Sequence, residues 1–276
     1  MSQAKSLSGQ SELQKNADRF TGFADLYDQA RPKSPAVVRD ILLRYLGRPS
    51  SLMVDLGCGT GLSTLMWCDV SEKVVGVDPS PDMLKIAREK GEHHPNLSFR
   101  QNFSDATDLP DASVDILTCS QSFHWMNPET TLREADRILK PGGVFAVYDC
   151  DWPPVCHWET EHAYNVLFRT AHALERTNAD TRDSFIRWNK DHHLENLHAY
   201  GRFRYVREIV FSSTESCDAE RFIAIALSQG GLQALRKAGA KALEPEIAAF
   251  EKSVRMRMGE GTFPMDFCYR MRVGVK

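Results

Sequence analysis

Gly57, Gly59 and Gly61 fall within Val54-Asp55-Leu56-Gly57-Cys58-Gly59-Thr60-Gly61, at the end of an apolar run. A turn this tight needs residues that tolerate positive φ, and a ligand lying on it needs backbone without side chains. Free N–H groups at the start of the following element then face that ligand. Asp78 closes the next apolar run, where a carboxylate can accept both hydroxyls of an adenosine ribose. The spacing is G-x-G-x-G, with Leu62 where the pyrophosphate-binding fingerprint has its third glycine. That argues against a nicotinamide-dependent oxidoreductase on a related sheet. Further along, Asp149 and Asp151 flank Cys150. Such a pair can bind a cationic acceptor or a metal, or cap the segment that follows.

These residues need elements that deliver them to one edge. Apolar runs at Ser51–Leu56, Lys73–Val77, Leu97–Gln101, Val114–Ser120 and Val144–Tyr148 read as strands. Leu62–Val70, Pro81–Lys90 and Pro128–Leu139 read as the helices between them, the last ended by Lys140-Pro141-Gly142-Gly143. The β-α-β-α rhythm predicts an α/β fold, a Rossmann-like doubly wound sheet flanked by helices. After Tyr148 the rhythm breaks. Residues 153–200 carry helical periodicity and no strand, Phe203–Phe211 is a strand, and Ala219–Gly239 and Pro245–Met258 are helices. Phe263–Val275 alternates like a last strand. The expected organisation is one domain over residues 1–276, with 1–16 a flexible tail. Residues 153–200 and roughly 219–258 are expected to form a helical cap over the carboxyl edge of the sheet.

Three stretches together resemble a known family. Asp55-Leu56-Gly57-Cys58-Gly59-Thr60-Gly61, Gly76-Val77-Asp78-Pro79-Ser80-Pro81-Asp82-Met83-Leu84 and Ile138-Leu139-Lys140-Pro141-Gly142-Gly143 are similar to the signatures of class I S-adenosylmethionine-dependent methyltransferases. The run Ser120-Gln121-Ser122-Phe123-His124-Trp125 resembles the type 11 branch, which includes trans-aconitate methyltransferases. The resemblance covers roughly residues 20–150 and implies S-adenosylmethionine as cofactor, S-adenosylhomocysteine as product, and a seven-stranded sheet whose final strand is antiparallel. It implies that Asp55, Gly57, Gly59 and Gly61 form the cofactor loop, that Asp78 holds the ribose and that Met83 packs on the adenine. Asp105 and Ala106 would meet the adenine amino group, and Ser120 and Gln121 would lie beside the sulfonium. Tyr27 and Arg31 match a segment that reaches the methionine end of the cofactor, or else end a surface helix. A guanidinium there suits a carboxylate. Met126 replaces a common aromatic, so a reshaped pocket wall is expected.

Methyl transfer from a sulfonium needs alignment and a dry pocket more than it needs protein functional groups. Phe123, Trp125, Asp149 and Trp152 are placed by sequence to wall the acceptor pocket. His124 is the candidate base, because it follows the fourth strand and a neutral imidazole is available near pH 7. It reads equally as a packing or substrate-orienting residue, since a carboxylate acceptor needs no base. No metal is expected: His157, His162, His192, His193 and His198 lack a ligand-motif spacing. Arg169, Arg176, Arg182 and Arg187 read as a solvated face balanced by neighbouring acids such as Asp183.

Bulk properties narrow the partners. Lys and Arg total 34 against 37 Asp and Glu, a formal net charge of −3, which lacks the basic excess expected for holding a nucleic-acid backbone or an anionic membrane. No run approaches the ~20 apolar residues of a membrane helix. Seven scattered cysteines without a C-x-x-C pair read as reduced thiols of a cytoplasmic protein. The expected function is methyl transfer to a small-molecule acceptor, on oxygen (carboxylate or hydroxyl), by a monomer or homodimer. A repurposed cofactor-binding protein is the alternative. Cys58, inside the glycine loop, is expected to react with thiol reagents in competition with cofactor.

Overall fold

The computed structural model describes Asn16, residues 24–177 and residues 186–276. Seven strands, β1 (Ser50–Leu56), β2 (Ser71–Val77), β3 (Leu97–Arg100), β4 (Val114–Ser120), β5 (Leu139–Cys150), β6 (Tyr205–Cys217) and β7 (Phe263–Val275), form one sheet in the order β3-β2-β1-β4-β5-β7-β6. β1 pairs in parallel with both β2 and β4, so the strand order reverses between β1 and β4. Ligands of open α/β sheets bind at such a reversal, outside the carboxyl ends of the strands. β7 runs antiparallel to β5 and β6, as the resemblance implies.

Alternation along the strands loads both faces of the sheet. Met53, Ile116 and Ala146 point to one core, covered by α2 (Ala36–Leu46), α5 (Trp158–Thr177), α7 (Ala219–Leu227), α8 (Gly230–Lys237) and α9 (Glu244–Met258). Val54, Leu117 and Phe145 point to the other, covered by α4 (Pro128–Ile138) and by Leu197 of α6 (His193–Tyr200). Each fully buried Leu or Phe contributes roughly 1.5–3 kcal/mol. Two further helices complete the fold: α3 (Pro81–Gly91) packs on β3, and α1 (Ala24–Ala30) packs on α3 and α7. Ser80 caps α3 by accepting the Met83 N–H, and Asn127 caps α4 by accepting from Glu129 and Thr130.

Several expectations are corrected. Leu62–Val70 is a string of turns around a 3-10 turn at Leu65–Trp67, not an α-helix. Ser63 and Thr64 give their hydroxyls to Asp55, and the backbone closes in i to i−3 steps there. Ala219–Gly239 is two helices, because the chain turns at Ser228, whose hydroxyl bonds back to the Ile225 carbonyl. β5 begins at Leu139, five residues before its apolar run, and a register shift beside Val114 and Ile116 absorbs the Pro-Gly-Gly segment. Residues 1–15, expected as a tail, and Arg182 and Asp183 lie outside the described residues. Asn16, assigned to that tail, is instead buried and bonded to the body of the fold.

Candidate active site

Asp55 ends β1 fully buried, and it accepts hydroxyl hydrogens from Ser63 (2.6 Å), Thr64 (2.8 Å) and Thr118 of β4 (2.7 Å). Burial pushes its carboxyl up and the three hydroxyls pull it back. It therefore braces the glycine loop against β4 from below and does not reach the cleft, contrary to its expected place among the cofactor contacts.

Above it the loop turns with φ of +66° at Gly57, +53° at Gly59 and +82° at Gly61. A Cβ on Gly57 would sit 2.5 Å from the Ser122 Cβ, so the loop and the β4 extension approach as closely as glycine allows. The Ser122 hydroxyl, donating to the Leu56 carbonyl at 2.7 Å, fastens that approach. At Gly59 nothing lies within 4 Å of an added Cβ, and the residue faces open cleft. Gly61 packs beside Phe99 and Ala87 instead and lines no cleft.

Asp78 ends β2. Its Oδ2 accepts the Gly59 N–H at 2.9 Å and its Oδ1 accepts the Ser80 N–H at 2.8 Å. Burial raises its carboxyl to about 6 despite these two donors. The cleft beside it brings together Tyr27, Gly57, Gly59, Asp78, Met83, Ser120 and Gln121, all expected on sequence grounds. The Asn102-Phe103-Ser104 stretch supplies the adjoining wall. Asp105 and Ala106, expected there, follow it and do not line the cleft, because Ser104 is anchored inward by the Thr131 hydroxyl at 2.9 Å. Gln121 is held in a left-handed conformation (φ +52°), its N–H donating to the Tyr148 carbonyl. Met126, Ser122 and Asn16 also line the cleft. Met126 carried a sequence signal through the missing aromatic; Asn16, in a polar stretch, carried none.

The chemistry of this lining fits S-adenosylmethionine. A buried carboxylate with lone pairs to spare suits a ribose diol, Met83 and Phe103 give an apolar floor for adenine, and the bare backbone at Gly59 leaves room for the methionine part.

A second compartment opens from the same cleft, since Tyr27, Gln121 and Trp125 line both. Its walls include Arg31, Trp152, Arg187, Lys190 and Gln229. The Arg31 guanidinium lies 4.7 Å from the Tyr27 ring centroid and 5.0 Å from that of Trp152, and donates to the Gln229 side-chain oxygen at 3.1 Å. Its Nε is buried and has no partner among the described residues. Arg187 lies over Trp125 at 5.7 Å. Arg31 also lines a further hollow beside the glycine loop, together with Gly57, Gly59 and Tyr148.

His124 and Lys190 both line this compartment and belong to a charge cluster that continues behind its wall. Asp149 Oδ1 is 2.7 Å from Lys190 Nζ and 3.4 Å from His124 Nδ1, while Oδ2 is 3.6 Å from His193 Nε2 and 3.7 Å from an Arg272 nitrogen. Burial alone would raise the Asp149 carboxyl; the Lys190 ammonium and the imidazoles hold it well below the usual range. Burial, aided by Lys190, drives the His124 imidazole down to about 3 and that of His193 to about 4. Asp149 is thus a support under the pocket wall and not a wall itself. Phe123, also expected in the wall, is fully buried against Phe145 and His193. Trp125 and Trp152 are in the wall.

Among the described residues, His124, Asp149 and His193 form the one group able to offer three metal ligands, their atoms lying within 4.8 Å of one another. Lys190 and Arg272 already neutralise that carboxylate, which disfavours a divalent ion beside them. Cys58, expected to be reactive, is buried with its sulfur turned back against Gly76 of β2, and burial together with Asp78 and Asp55 pushes its thiol well up. That overturns the expectation of ready labelling.

Comparison with known proteins agrees with the fold and the loop. Residues 54–147 match the family model described as a methyltransferase domain. An uncharacterized methyltransferase-like protein of Schizosaccharomyces pombe is 32% identical over 188 residues, covering 67% of this chain and 68% of that one. A malonyl-[acyl-carrier protein] O-methyltransferase of Serratia marcescens is 34% identical over 134 residues, 46% of this chain and 49% of that one. The chain spans about half the length of most of the curated relatives it matches. Among solved structures, one assigned to a type II methyltransferase of Anaeromyxobacter dehalogenans superposes with a TM-score of 0.62 at 22% identity, over 89% of this chain and 97% of that one. The fold and the cleft define a Rossmann-like methyltransferase. The chain belongs to the class I S-adenosylmethionine-dependent methyltransferases, in the type 11 branch.

Proposed function

We propose that the chain methylates a carboxylate oxygen of a small-molecule acceptor held in the second compartment. The observation that carries this reading is its lining: among the described residues, Arg31, Arg187 and Lys190 contribute cationic groups to the walls and no carboxylate does. When bound, S-adenosylmethionine supplies an electrophilic methyl on a sulfonium: the O–C bond forms as the C–S pair leaves with sulfur, and no proton moves. Arg31 and Arg187 would orient the anionic acceptor, while the Tyr27, Trp125 and Trp152 rings exclude water. His124, with an imidazole at about 3, is a poor general base near neutral pH and serves better as a neutral group steadied by Asp149. A carboxylate makes no demand on it. The O-methyltransferase named among the relatives lends further support.

We read residues 24–276 as one unit in which α5, α7, α8 and α9 form the cap that selects the acceptor. No described helix is long and apolar enough to cross a membrane. The seven unpaired cysteines support a reducing compartment, such as the cytoplasm.

The test is incubation with methyl-labelled S-adenosylmethionine and a metabolite extract, followed by mild alkaline hydrolysis of the products. Label released as methanol marks a methyl ester. Label that survives hydrolysis marks an amine or ether and would overturn the carboxylate assignment.

A further inference from the structure

The acceptor compartment does not end at Trp152. Trp152, Arg187, Gln229 and Gly231 also line a further chamber between α5 and α8. Its floor is apolar and buried: Tyr164 and Ala171 from α5, Leu232 and Leu235 from α8. Phe168 stacks on Tyr164 with ring centroids 4.3 Å apart and extends that surface. Polar groups share the lining: Asn165, His172 and Arg187 are exposed, Glu175 is half-buried, and the Gln229 Nε2 is buried at the end nearer Arg31. The order outward is therefore a cationic compartment, a Trp152 divider, and a chamber with an apolar floor.

From this order we infer that the acceptor is an amphipathic monocarboxylate: an anionic head beside Arg31 and an apolar tail passing Trp152 into the chamber between α5 and α8. The inference rests on the carboxylate reading above for its head, and on the chamber alone for its tail. A short polar di- or tricarboxylate would leave the chamber filled only with water over buried apolar side chains. An alkyl or aryl tail removes that surface from water at about 0.8 kcal/mol per methylene, or about fourfold in affinity per carbon. Gly231 lies at the junction on α8, and without a side chain it leaves the passage open.

Three matched series decide it: straight-chain carboxylates, alcohols and primary amines of four to twelve carbons (about the range over which a tail would enter the chamber), each with labelled S-adenosylmethionine. The expected result is methylation of the carboxylates with kcat/KM rising about threefold to fourfold per added carbon until the chamber is full. Gly231→Leu, which suits a helix better than glycine, should flatten that rise, and Phe168→Ala should carry it to longer chains. The cofactor-induced rise in melting temperature reports that each variant is folded. Methylation of carboxylates with no dependence on length would overturn the tail and leave the carboxylate reading standing. A length-dependent rise confined to amines or alcohols would overturn the head and keep the chamber. Cofactor binding with no product from any series would overturn both.

Discussion

Asp78 accepts the N–H of Gly59 at 2.9 Å, so the residue that would hold the ribose also fixes the loop on which the rest of the cofactor would lie. The second oxygen takes the Ser80 N–H at the start of α3. One carboxylate thus sets the mutual position of β2, the glycine loop and a helix N-terminus. It does so while buried, and its carboxyl is raised to about 6. A folded value above the unfolded one means that this group's contribution to stability is fully present below about 4 and is lost as pH rises through 6. At pH 7 the ionised Asp78 costs the apoprotein about 3 kcal/mol. Groups held charged against their environment concentrate at functional sites.

Replacing Asp78 by Asn should therefore separate stability from binding. Melting temperatures of wild type and Asp78→Asn, measured without cofactor from pH 5 to 8, should diverge in favour of the variant as pH rises through 6. Cofactor affinity should fall about 10- to 100-fold in the variant, the loss of charged hydrogen bonds worth about 1.5–3 kcal/mol. In wild type it should weaken as pH drops below 6. A variant that binds cofactor as wild type does at pH 7 to 8, where Asp78 is ionised, would remove Asp78 from the site.

The Asp149 cluster makes a different prediction, because its carboxyl is lowered. Its stabilisation is present above the unfolded value near 4 and is lost only as strong acid approaches the much lower folded value. Asp149→Asn leaves the Lys190 ammonium without its counter-charge while Arg272 keeps Glu208 at 2.8 Å, and should cost about 3 kcal/mol. Lys190→Met, tested by chemical denaturation, should cost less, because Arg272 still faces the carboxylate. The double variant should be milder than the sum of the two. Simple additivity would mean that the ion pair is not coupled.

Cys58 should label slowly. With the thiol buried and its pKa raised well up, a maleimide at neutral pH should modify the partly exposed Cys156 and Cys268 first. Mass mapping of a time course gives the order. Early modification of Cys58 in folded protein would show that the glycine loop opens far more than its bonds to Asp78 and Asp55 allow.

Sequence made the strand ends legible because apolar runs and glycine punctuation are local signals: β4 and β7 begin and end where their patterns do. It also singled out Asp78, Met83 and Gln121, which line the cleft. It failed where a tertiary partner decides. Asp55 looks like a ligand contact in its motif, yet Thr118, 63 residues away, draws it under the loop. Phe123 and Asp149 sit at strand ends as pocket walls do, but α6 brings His193 against both and so leaves them behind the wall. Lys190 and Gln229 enter the acceptor compartment from segments with no motif at all.

Asn16 is the clearest of these long-range residues, and it carries the last prediction. Its side-chain amide donates to the Trp125 carbonyl at 2.8 Å and the Ile186 carbonyl at 2.9 Å, and its oxygen accepts the Ile186 N–H at 3.0 Å. One buried side chain therefore ties the segment leading to Arg187 and Lys190 to the loop after β4, across the mouth of the cleft. Asn16→Ala leaves those backbone groups without their partner, at about 1–3 kcal/mol for each that stays buried. Because they belong to peripheral segments, the loss should appear as local opening more than as global unfolding. Amide exchange over residues 186–193 should accelerate, cofactor affinity should fall about tenfold, and the melting temperature should move by only a few degrees. Unchanged exchange together with unchanged affinity would show that Asn16 does not close the cleft.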